Sequence, residues 1–453
     1  MRRQGSYCSD FYSSGYLYNP GAGNSTLNEH TNNNLNKKMM NLEKYSFGIG
    51  DRFAMEGKAQ LEAILEINKS GITVVPVWNK SNREHKIVKT TQASVAAEAS
   101  AAVKALNWKQ SYYVDADHIG LETVGDFIDH SNFFTIDVAH FIVQPVDAKD
   151  KADFVKRHGK YIGALTIPGI AEKFEVSEAY LSETADKYLL AIQNVAKIYN
   201  HIVAKKGKDN FIPEVSMDEC DKAQSPLDLF FILAELKYQQ VDIQTIAPKF
   251  TGLFAKGIDY IGNVAGFEKE FEQDVAVIKY AVGLLGLPSN LKLSVHSGSD
   301  KFSIYPAIRK AIQKFDAGIH VKTAGTTWLE EVIGLAEAGG EGLDIAKTIY
   351  KKSLLRYDEL TGPYATVLDI DQSKLPKAEE VDKWTSKQFA EALIHNQQCV
   401  AYNPSFRQLI HVGYKIAVEL GDAYTNALIK HRTIIEANVK NNILNRHLRL
   451  LFQ

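Results

Sequence analysis

The chain has 453 residues, of which 45% are hydrophobic and 23% charged, and its formal net charge is −2. These values are typical of a globular protein with a large core, and the near-neutral charge argues against a nucleic-acid or membrane-surface partner, because either favours a basic excess. Three widely spaced cysteines and the lack of an apolar run of roughly 18 residues argue against a Cys-built zinc site and a membrane span, so we expect a cytoplasmic protein.

The first 42 residues are rich in Asn, Ser, Gly and Tyr, and they include the run Asn32-Asn-Asn-Leu-Asn-Lys-Lys. A segment with so few aliphatic residues buries too little surface to offset the entropy lost on ordering. It also lacks the apolar segment of a signal peptide. We therefore expect residues 1–42 to be a disordered tail.

Strand-like and helical segments alternate from Tyr45 onward. Eight strands are predicted, at Tyr45–Gly50, Thr73–Trp78, Ser111–Asp115, Phe133–Val138, Phe211–Val215, Asp242–Ile246, Leu291–His296 and Gly318–Thr323. Helical periodicity between them, as in Ala93–Leu106 and Phe267–Leu285, is the pattern of parallel βαβ units. Eight successive units favour an α/β fold of the TIM type, a closed (β/α)8 barrel over residues 43–330.

Two further segments are predicted to be helical. The connection between the fourth and fifth strands is long and contains an inserted helix around Ser177–Ala204. Long insertions in a barrel usually lie on loops and often cover the active site. Residues 331–453 read as a helical C-terminal extension packed on the barrel, interrupted near Gly339–Gly342 and Thr361–Leu375.

Polar residues follow almost every predicted strand. In a barrel all strand carboxyl ends meet at one rim, so residues distant in sequence converge there. In strand order these residues are Asp51 and Arg52; Lys80; Asp117 and His118; Asp137; Glu214, Ser216 and Asp218; Thr245 and Lys249; His296, Ser297, Asp300 and Lys301; and His320 and Lys322. We expect the functional site at this rim, with substrate contacts from Asp51, Arg52, Lys80, Ser297, Asp300, Lys301 and Lys322.

Three of these positions suit metal chemistry, and each has a structural alternative. Asp117-His118 pairs a carboxylate with an imidazole, which suits metal binding and proton transfer, or else a helix cap beside an exposed histidine. His296 precedes Ser-Gly-Ser, whose backbone N–H groups could face an anion, or it is a satisfied histidine at a turn. Glu214 ends an apolar strand, where a buried carboxylate needs a cation.

Together, His118, Glu214 and His296 form a two-imidazole, one-carboxylate set suited to Zn, Mn, Fe, Co or Ni. Arg52, Lys80, Lys301 and Lys322 would surround this set with positive charge, which indicates an anionic substrate; each is otherwise a solvated surface charge. Arg407 and His411 would share one helical face and either reach the rim or form a structural pair.

Several long motifs resemble the tagaturonate epimerase family, from about Tyr45 to the C-terminus. They are Tyr45-Ser-Phe-Gly-Ile-Gly-Asp-Arg-Phe, Tyr113-Val-Asp-Ala-Asp-His-Ile, Phe134-Thr-Ile-Asp-Val-Ala, Thr245-Ile-Ala-Pro-Lys-Phe-Thr-Gly, His296-Ser-Gly-Ser-Asp-Lys-Phe-Ser-Ile-Tyr-Pro and Phe406-Arg-Gln-Leu-Ile-His-Val-Gly-Tyr-Lys. The resemblance implies a metal-dependent isomerase that interconverts D-tagaturonate and D-fructuronate in hexuronate breakdown. The expected partner is an anionic ketose, and the sequence leaves a homo-oligomer open.

Class II aldolases, which are also metal-dependent barrels, offer a looser similarity. In them an Asp-His pair ends an early strand, a Glu a middle strand and a His-Gly-x-Ser-type turn a late strand, an order that Asp117-His118, Glu214 and His296-Ser-Gly-Ser resemble. Their further metal-binding histidine has no counterpart in the sixth strand of this chain. The fourth ligand would then be His320, Asp115 or Gln244.

This similarity suggests a mechanism. In ketose numbering the two uronates differ at C4, which simple enolisation beside the C2 ketone does not reach, whereas retro-aldol cleavage of C3–C4 and re-addition can invert it. We expect Asp117 to accept and return the C4 hydroxyl proton, Glu214 to take part in catalysis, and Lys301 and Lys322 to hold a carboxylate or oxyanion.

The sequence also allows two other functions and one other mechanism. A class II-type aldolase would use the same residues but release its fragments. A non-catalytic sugar-binding barrel would bind a ligand without needing a metal. A dehydrogenation–reduction route is disfavoured, because no Gly-x-Gly-x-x-Gly fingerprint follows a strand.

Overall fold

The computed structural model describes residues 40–323 and 325–453. Eight parallel strands close into a barrel in which the last strand pairs with the first, from Tyr45↔Ile319 to Gly48↔Lys322. The barrel strands are Tyr45–Ile49, Val74–Ser81, Tyr113–Ile119, Phe133–Asp137, Ile212–Ser216, Thr245–Ala247, Lys292–His296 and Ile319–Lys322. The predicted fold class and all eight strands are confirmed, with the largest difference at the third strand, which extends past Asp115 to Ile119.

Helices surround the barrel. Up to the eighth strand the α-helices are Gly57–Asn68, Asn82–Val88, Ala93–Ala105, Ala148–His158, Glu178–Lys206, Pro226–Tyr238, Val264–Leu285 and Tyr305–Phe315, with short 3-10 turns at Val124–Asp126, Ala139–Phe141, Gly159–Tyr161 and Phe302–Ile304. The sequence missed a two-stranded antiparallel sheet, Gly163–Leu165 with Phe174–Val176, because strands of three residues carry almost no periodicity. No helix of the described residues is long and apolar enough to cross a membrane.

The inserted helix Glu178–Lys206 shows how local sequence sets an element. The Ser177 side chain accepts a hydrogen bond from the Tyr180 amide and so caps the first turn. Leu181, Tyr188 and other residues at intervals of three or four are buried along one face, and Gly207 follows the last turn with φ 80°. The predicted insertion at Ser177–Ala204 is therefore present at nearly its predicted bounds.

The C-terminal residues are helical after the eighth strand. The α-helices are Thr326–Ala338, Gly340–Leu355, Tyr357–Thr361, Ala378–Val381, Ser386–Leu393, Pro404–Val412, Tyr414–Leu420, Asp422–Lys430, Arg432–Asn441 and Arg449–Phe452, with 3-10 turns at Gly362–Val367 and Gln372–Lys374 and a π-helix at Asn442–Leu448. Residue 330, where the sequence placed a domain boundary, lies inside the first of these helices. That helix is anchored by Trp328, whose indole N–H donates to the Ile410 carbonyl at 2.9 Å, and the described residues form one compact unit.

The amino end of the barrel is filled by the segment that enters the first strand. Leu42 is buried beside Val75 and Phe133, and its amide donates to the Gln244 side chain at 2.8 Å. The Lys292 ammonium donates to the Leu42 and Glu43 carbonyls. Residues 40–42 of the predicted tail are thus packed against the barrel, whereas residues 1–39 lie outside the described residues.

A buried ionic network joins the seventh-strand loop to the C-terminal helices. The Asp300 carboxylate accepts from the Arg407 guanidinium at 2.8 Å, and it contacts His395 at 3.1 Å and His447 at 3.0 Å. Arg407 also donates to the Gly257 and Leu393 carbonyls. Because both charges are fully buried, each depends on the other to offset its desolvation.

We predict that Asp300→Asn lowers the free energy of unfolding by about 3–5 kcal/mol, because it leaves the Arg407 charge buried without a counterion. Urea-induced unfolding of the full chain measures this change. The matched control is Lys310→Ala, which removes the exposed pair with Glu268 and should cost less than about 1 kcal/mol. Equal effects of the two substitutions would contradict the role assigned to the network.

Candidate functional site

A cavity of about 800 Å³ lies at the carboxyl ends of the strands. Residues after the strands form its floor and walls, and Pro363 to Val367 together with His411 to Tyr414 contribute the C-terminal part of its lining. The charged side chains that line it are Arg52, Arg83, Glu84, Lys86, Asp117, Asp137, Asp218, Glu219, Asp221, Lys249, Lys256 and Lys322. A site of this size, with both signs of charge, fits a small polar ligand.

Three side chains at the cavity wall converge on one point. His118, Asp218 and His296 each offer a ligand atom, and these atoms lie within 4.8 Å of one another. The Asp218 carboxylate is 3.1 Å from His296 Nδ1 and 3.7 Å from His118 Nε2, and the two imidazole centroids are 5.1 Å apart. The structure thus places His118 and His296 side by side at the rim, where they were expected from the sequence.

A β-bulge in the third strand brings two consecutive residues to the cavity. Pairing with the fourth strand shifts register between Ala116 and Ile119, and His118 has a φ of 53°. In a regular strand neighbouring side chains point to opposite faces, but a bulge re-aims one of them. Asp117 and His118 therefore both line the cavity, and the left-handed backbone of a non-glycine residue is a strain that functional sites often hold.

In each imidazole, the ring nitrogen that does not face Asp218 contacts another carboxylate. His296 Nε2 is 2.8 Å from Glu214 Oε1, and His118 Nδ1 is 3.1 Å from Asp117 Oδ1. Metal-binding histidines usually donate their second ring nitrogen to such a group, which fixes the tautomer and the ring orientation. The residues present therefore fit a divalent ion bound by His118, Asp218 and His296, with Glu214 behind His296.

A layer of buried charge lies directly beneath this cluster. The Lys322 ammonium is 2.8 Å from Asp115, 2.7 Å from Asp117 and 3.5 Å from Glu214. Thr135 bridges the same layer, because its hydroxyl lies 3.0 Å from Glu214 Oε1 and 2.9 Å from Asp115 Oδ2. Burial would raise the pKa of all three carboxyls, but the Lys322 ammonium and neighbouring histidines lower the pKa of Asp117 and Glu214, whereas at Asp115 burial prevails and raises the pKa to about 6.

Gly48 makes room for Lys322. A Cβ added at this position would lie 2.8 Å from Lys322 Cγ and 2.9 Å from the Asn79 side chain. Any larger residue in the first strand would displace the lysine stem from the interior. The glycine thus fixes where the ammonium reaches the carboxylates.

The charges set the protonation states of the site. Burial by itself would lower the pKa of His296, but the Asp218 and Glu214 carboxylates outweigh it and raise that pKa to about 10, so an ion bound there would displace the ring proton that faces Asp218. Burial would raise the pKa of Asp117, but the Lys322 ammonium and the His118 imidazole lower it to about 2. Asp117 is therefore ionised at neutral pH, the state that a proton acceptor requires.

Two predicted substrate contacts on the first two strands have structural roles. The Asp51 carboxylate accepts hydrogen bonds from the Phe53 and Met55 amides at 2.7 and 2.6 Å, so it shapes its own loop. Lys80 is buried and donates to the Arg52 carbonyl at 2.6 Å, and burial lowers its pKa. Both side chains are committed to protein partners outside the cavity.

The predicted contacts after the seventh strand are also enclosed. The Ser297 hydroxyl donates to the Lys322 carbonyl, and Asp300 belongs to the buried network with Arg407. Lys301 is fully buried, and its ammonium donates to the Ala255 and Ile258 carbonyls. None of the three lines the cavity, because the chain folds back over this loop in a way that composition does not reveal.

Of the other predicted residues, one lines the cavity and three are enclosed by protein. Arg52 lines the cavity with its guanidinium 4.3 Å from the Tyr414 ring centroid and its Nε 3.0 Å from Glu84. Gln244, a candidate fourth ligand, lies at the amino end of the barrel against Leu42, so it cannot reach His118, Asp218 and His296 at the opposite end. His320 is buried within the barrel against Ser46, and Asp115 is paired with Lys322.

Asp218 was expected at the rim but was not predicted to be a metal ligand. It lies two residues beyond the fifth strand, in the run Ser216-Met-Asp-Glu, and the Ser216 hydroxyl donates to its carboxylate. Only its position at a strand end marked it. Of the predicted helical pair, Arg407 is structural whereas His411 lines the cavity.

Comparison with known proteins agrees with this architecture. The family model described as tagaturonate epimerase (UxaE) matches residues 21–451. The Tagaturonate/fructuronate epimerase of Thermotoga maritima is 30% identical over 399 residues, which cover 85% of this chain and 75% of that protein.

Solved structures of one related protein share the fold. The glycerol complex of the fructuronate-tagaturonate epimerase UxaE from Cohnella laeviribosi has a TM-score of 0.76 at 24% identity, covering 91% of this chain and 82% of that chain. Its native structure gives 0.75 at the same identity and coverage. With the family model spanning nearly the whole described barrel and its C-terminal helices, this chain belongs to the tagaturonate epimerase family.

Proposed function

We propose that this protein interconverts D-tagaturonate and D-fructuronate, with a divalent ion held by His118, Asp218 and His296. The observation that carries the proposal is the convergence of these three ligand atoms within 4.8 Å in a cavity large enough for a hexuronate. The similarity to the Tagaturonate/fructuronate epimerase of Thermotoga maritima supports the reaction.

The ligand set differs from the sequence prediction in one member. Glu214 stays beside the ion site, but its Oε1 contacts His296 Nε2, the nitrogen that faces away from Asp218. It therefore orients the imidazole, and Asp218 supplies the carboxylate ligand. Imidazole and carboxylate donors suit Zn, Mn, Fe, Co or Ni.

A bound ion would act as a Lewis acid that polarises the substrate carbonyl. The surrounding side chains supply the proton transfers and the charge. Lys322 holds Asp117 ionised from beneath, and Asp117 lines the cavity, so its carboxylate is placed to take a proton from a substrate hydroxyl. Glu214 and Thr135 are buried and keep the layer rigid.

The proposed reaction begins when Asp117 accepts the proton of the C4 hydroxyl. The C3–C4 bond breaks, its electron pair enters the C2–C3 enediolate, and C4 becomes an aldehyde. Rotation about C4–C5 presents the opposite face of the aldehyde to C3. The bond then forms again, and Asp117 returns its proton to the new C4 hydroxyl, so that all atoms and electrons are conserved.

Two other functions use the same cavity. A class II-type aldolase would release the two three-carbon fragments instead of rejoining them. A sugar-binding barrel would bind the ligand without the ion. Free three-carbon products from tagaturonate would favour the first, and an unchanged ligand affinity after His296→Ala and chelation would favour the second.

We predict that Asp218→Asn weakens binding of Mn²⁺ by at least about 10-fold, because it removes the charged ligand between the two imidazoles. Calorimetric titration of Mn²⁺ into chelated protein measures this affinity, and turnover of tagaturonate should fall in parallel. Asp153→Asn, an exposed change on the helix Ala148–His158, is the control and should leave binding unchanged. The ion site is disproved by equal affinities of Asp218→Asn and the unmodified protein.

We further predict that [4-²H]tagaturonate reacts at nearly the rate of the unlabelled substrate. Retro-aldol cleavage breaks C3–C4 and leaves the C4–H bond intact, so only a small secondary isotope effect is expected. The measurement is the initial rate with each substrate under saturating conditions. A large primary isotope effect would instead support transfer of hydride from C4.

A further inference from the structure

Two cations and a tyrosine form a second polar group in the cavity, on different segments of the chain from His118, Asp218 and His296. Arg83 lies in the helix Asn82–Val88 that follows the second strand, Lys256 follows the sixth strand, and Tyr364 lies in the 3-10 turn Gly362–Val367. The Arg83 guanidinium is 5.4 Å from the Tyr364 ring centroid and the Lys256 ammonium 5.6 Å. All three line the cavity.

This pair of cations has no carboxylate partner among the described residues, in contrast to Arg52, which contacts Glu84. Two positive charges beside one ring repel each other, and the ring face offsets this repulsion only in part. A carboxylate that contacts these cations would offset the repulsion through charge-assisted hydrogen bonds. The arrangement is therefore suited to bind a carboxylate.

Neighbouring residues fix the position of the Tyr364 ring and add positive charge around it. The Tyr364 hydroxyl is 3.0 Å from the Tyr414 hydroxyl, and the Lys256 amide donates to the Val367 carbonyl at 2.8 Å, which ties its loop to this turn. Burial lowers the pKa of His411 well below its usual value, and the nearby Arg52 and Lys256 charges lower it further. This part of the cavity is thus electropositive and partly preorganised.

The cavity therefore has two chemically different parts. Carboxylates and imidazoles gather at His118, Asp218 and His296, whereas Arg83 and Lys256 are cations without a carboxylate partner in the part of the chain that the structure describes. A hexuronate ketose has matching parts, because its ketone and hydroxyl oxygens suit an ion site and its C6 carboxylate suits cations. Lys301, expected from the sequence to hold the carboxylate, is enclosed by backbone carbonyls.

We propose that Arg83 and Lys256 bind the C6 carboxylate of the substrate and determine the preference for sugar acids over neutral ketoses. This assignment rests on the proposed epimerase function. It makes the two cations specificity residues, since they act on the end of the substrate remote from the bond that breaks.

The experiment compares two probes that differ only in the charged end, D-gluconate and D-glucitol, by calorimetry on the metal-loaded protein. The unmodified protein should bind gluconate more tightly than glucitol. The double variant Arg83→Met, Lys256→Met should lose about 10- to 100-fold in gluconate affinity while the glucitol affinity stays the same. Lys104→Met removes an exposed charge outside the cavity and is the control.

Kinetics supply a second readout. The double variant should raise the KM for D-fructuronate by a similar factor with kcat nearly unchanged, because a remote contact contributes uniform binding. Equal loss for gluconate and glucitol, no preference for gluconate in the unmodified protein, or a fall in kcat alone would overturn the inference. Absence of any epimerisation by the unmodified protein would refute the proposed function, whereas the probe affinities would still decide the role of the two cations.

Discussion

The contact on which the site depends is the one between the Lys322 ammonium and three carboxylates. Asp115, Asp117 and Glu214 come from three different strands, and all are buried. Without a central cation these negative charges would repel each other and could not stay ionised in a low-dielectric interior. Because Asp117 and Glu214 in turn hold the two imidazoles, the lysine orders the whole cluster from below.

The C-terminal helices are part of this arrangement. They contribute residues to the cavity lining, and the buried Asp300–Arg407 pair fastens them to the loop that begins at His296. The loop after the sixth strand is held by the same arginine through the Gly257 carbonyl. Cavity shape and ligand position are therefore coupled to packing far from the strand ends.

The sequence predicted the fold well because the information is local and repeated. Eight strands with helical periodicity between them leave few topologies, and the strand ends identify the rim, which brought His118, Glu214 and His296 together. Gln244, Lys301 and Asp300 were assigned wrongly to the site, since a side chain next to a strand end can face the amino end, the interior or another loop. Asp218 was marked only by its position after the fifth strand, whereas the placement of Arg83 and Lys256 beside Tyr364 depends on the C-terminal segment, which no local pattern encodes.

The packing at the amino end of the barrel bears on the proposed retro-aldol reaction. Leu42, Gln244 and Lys292 close the amino end of the barrel, buried side chains such as Phe133 and His320 fill its interior, and the C-terminal helices supply part of the cavity wall at the other end. In the proposed retro-aldol reaction, a fragment released in the cavity would face this packed interior on one side and the C-terminal wall on another. Such confinement would favour rejoining of the two fragments over their escape, which is what would separate an epimerase with this mechanism from an aldolase.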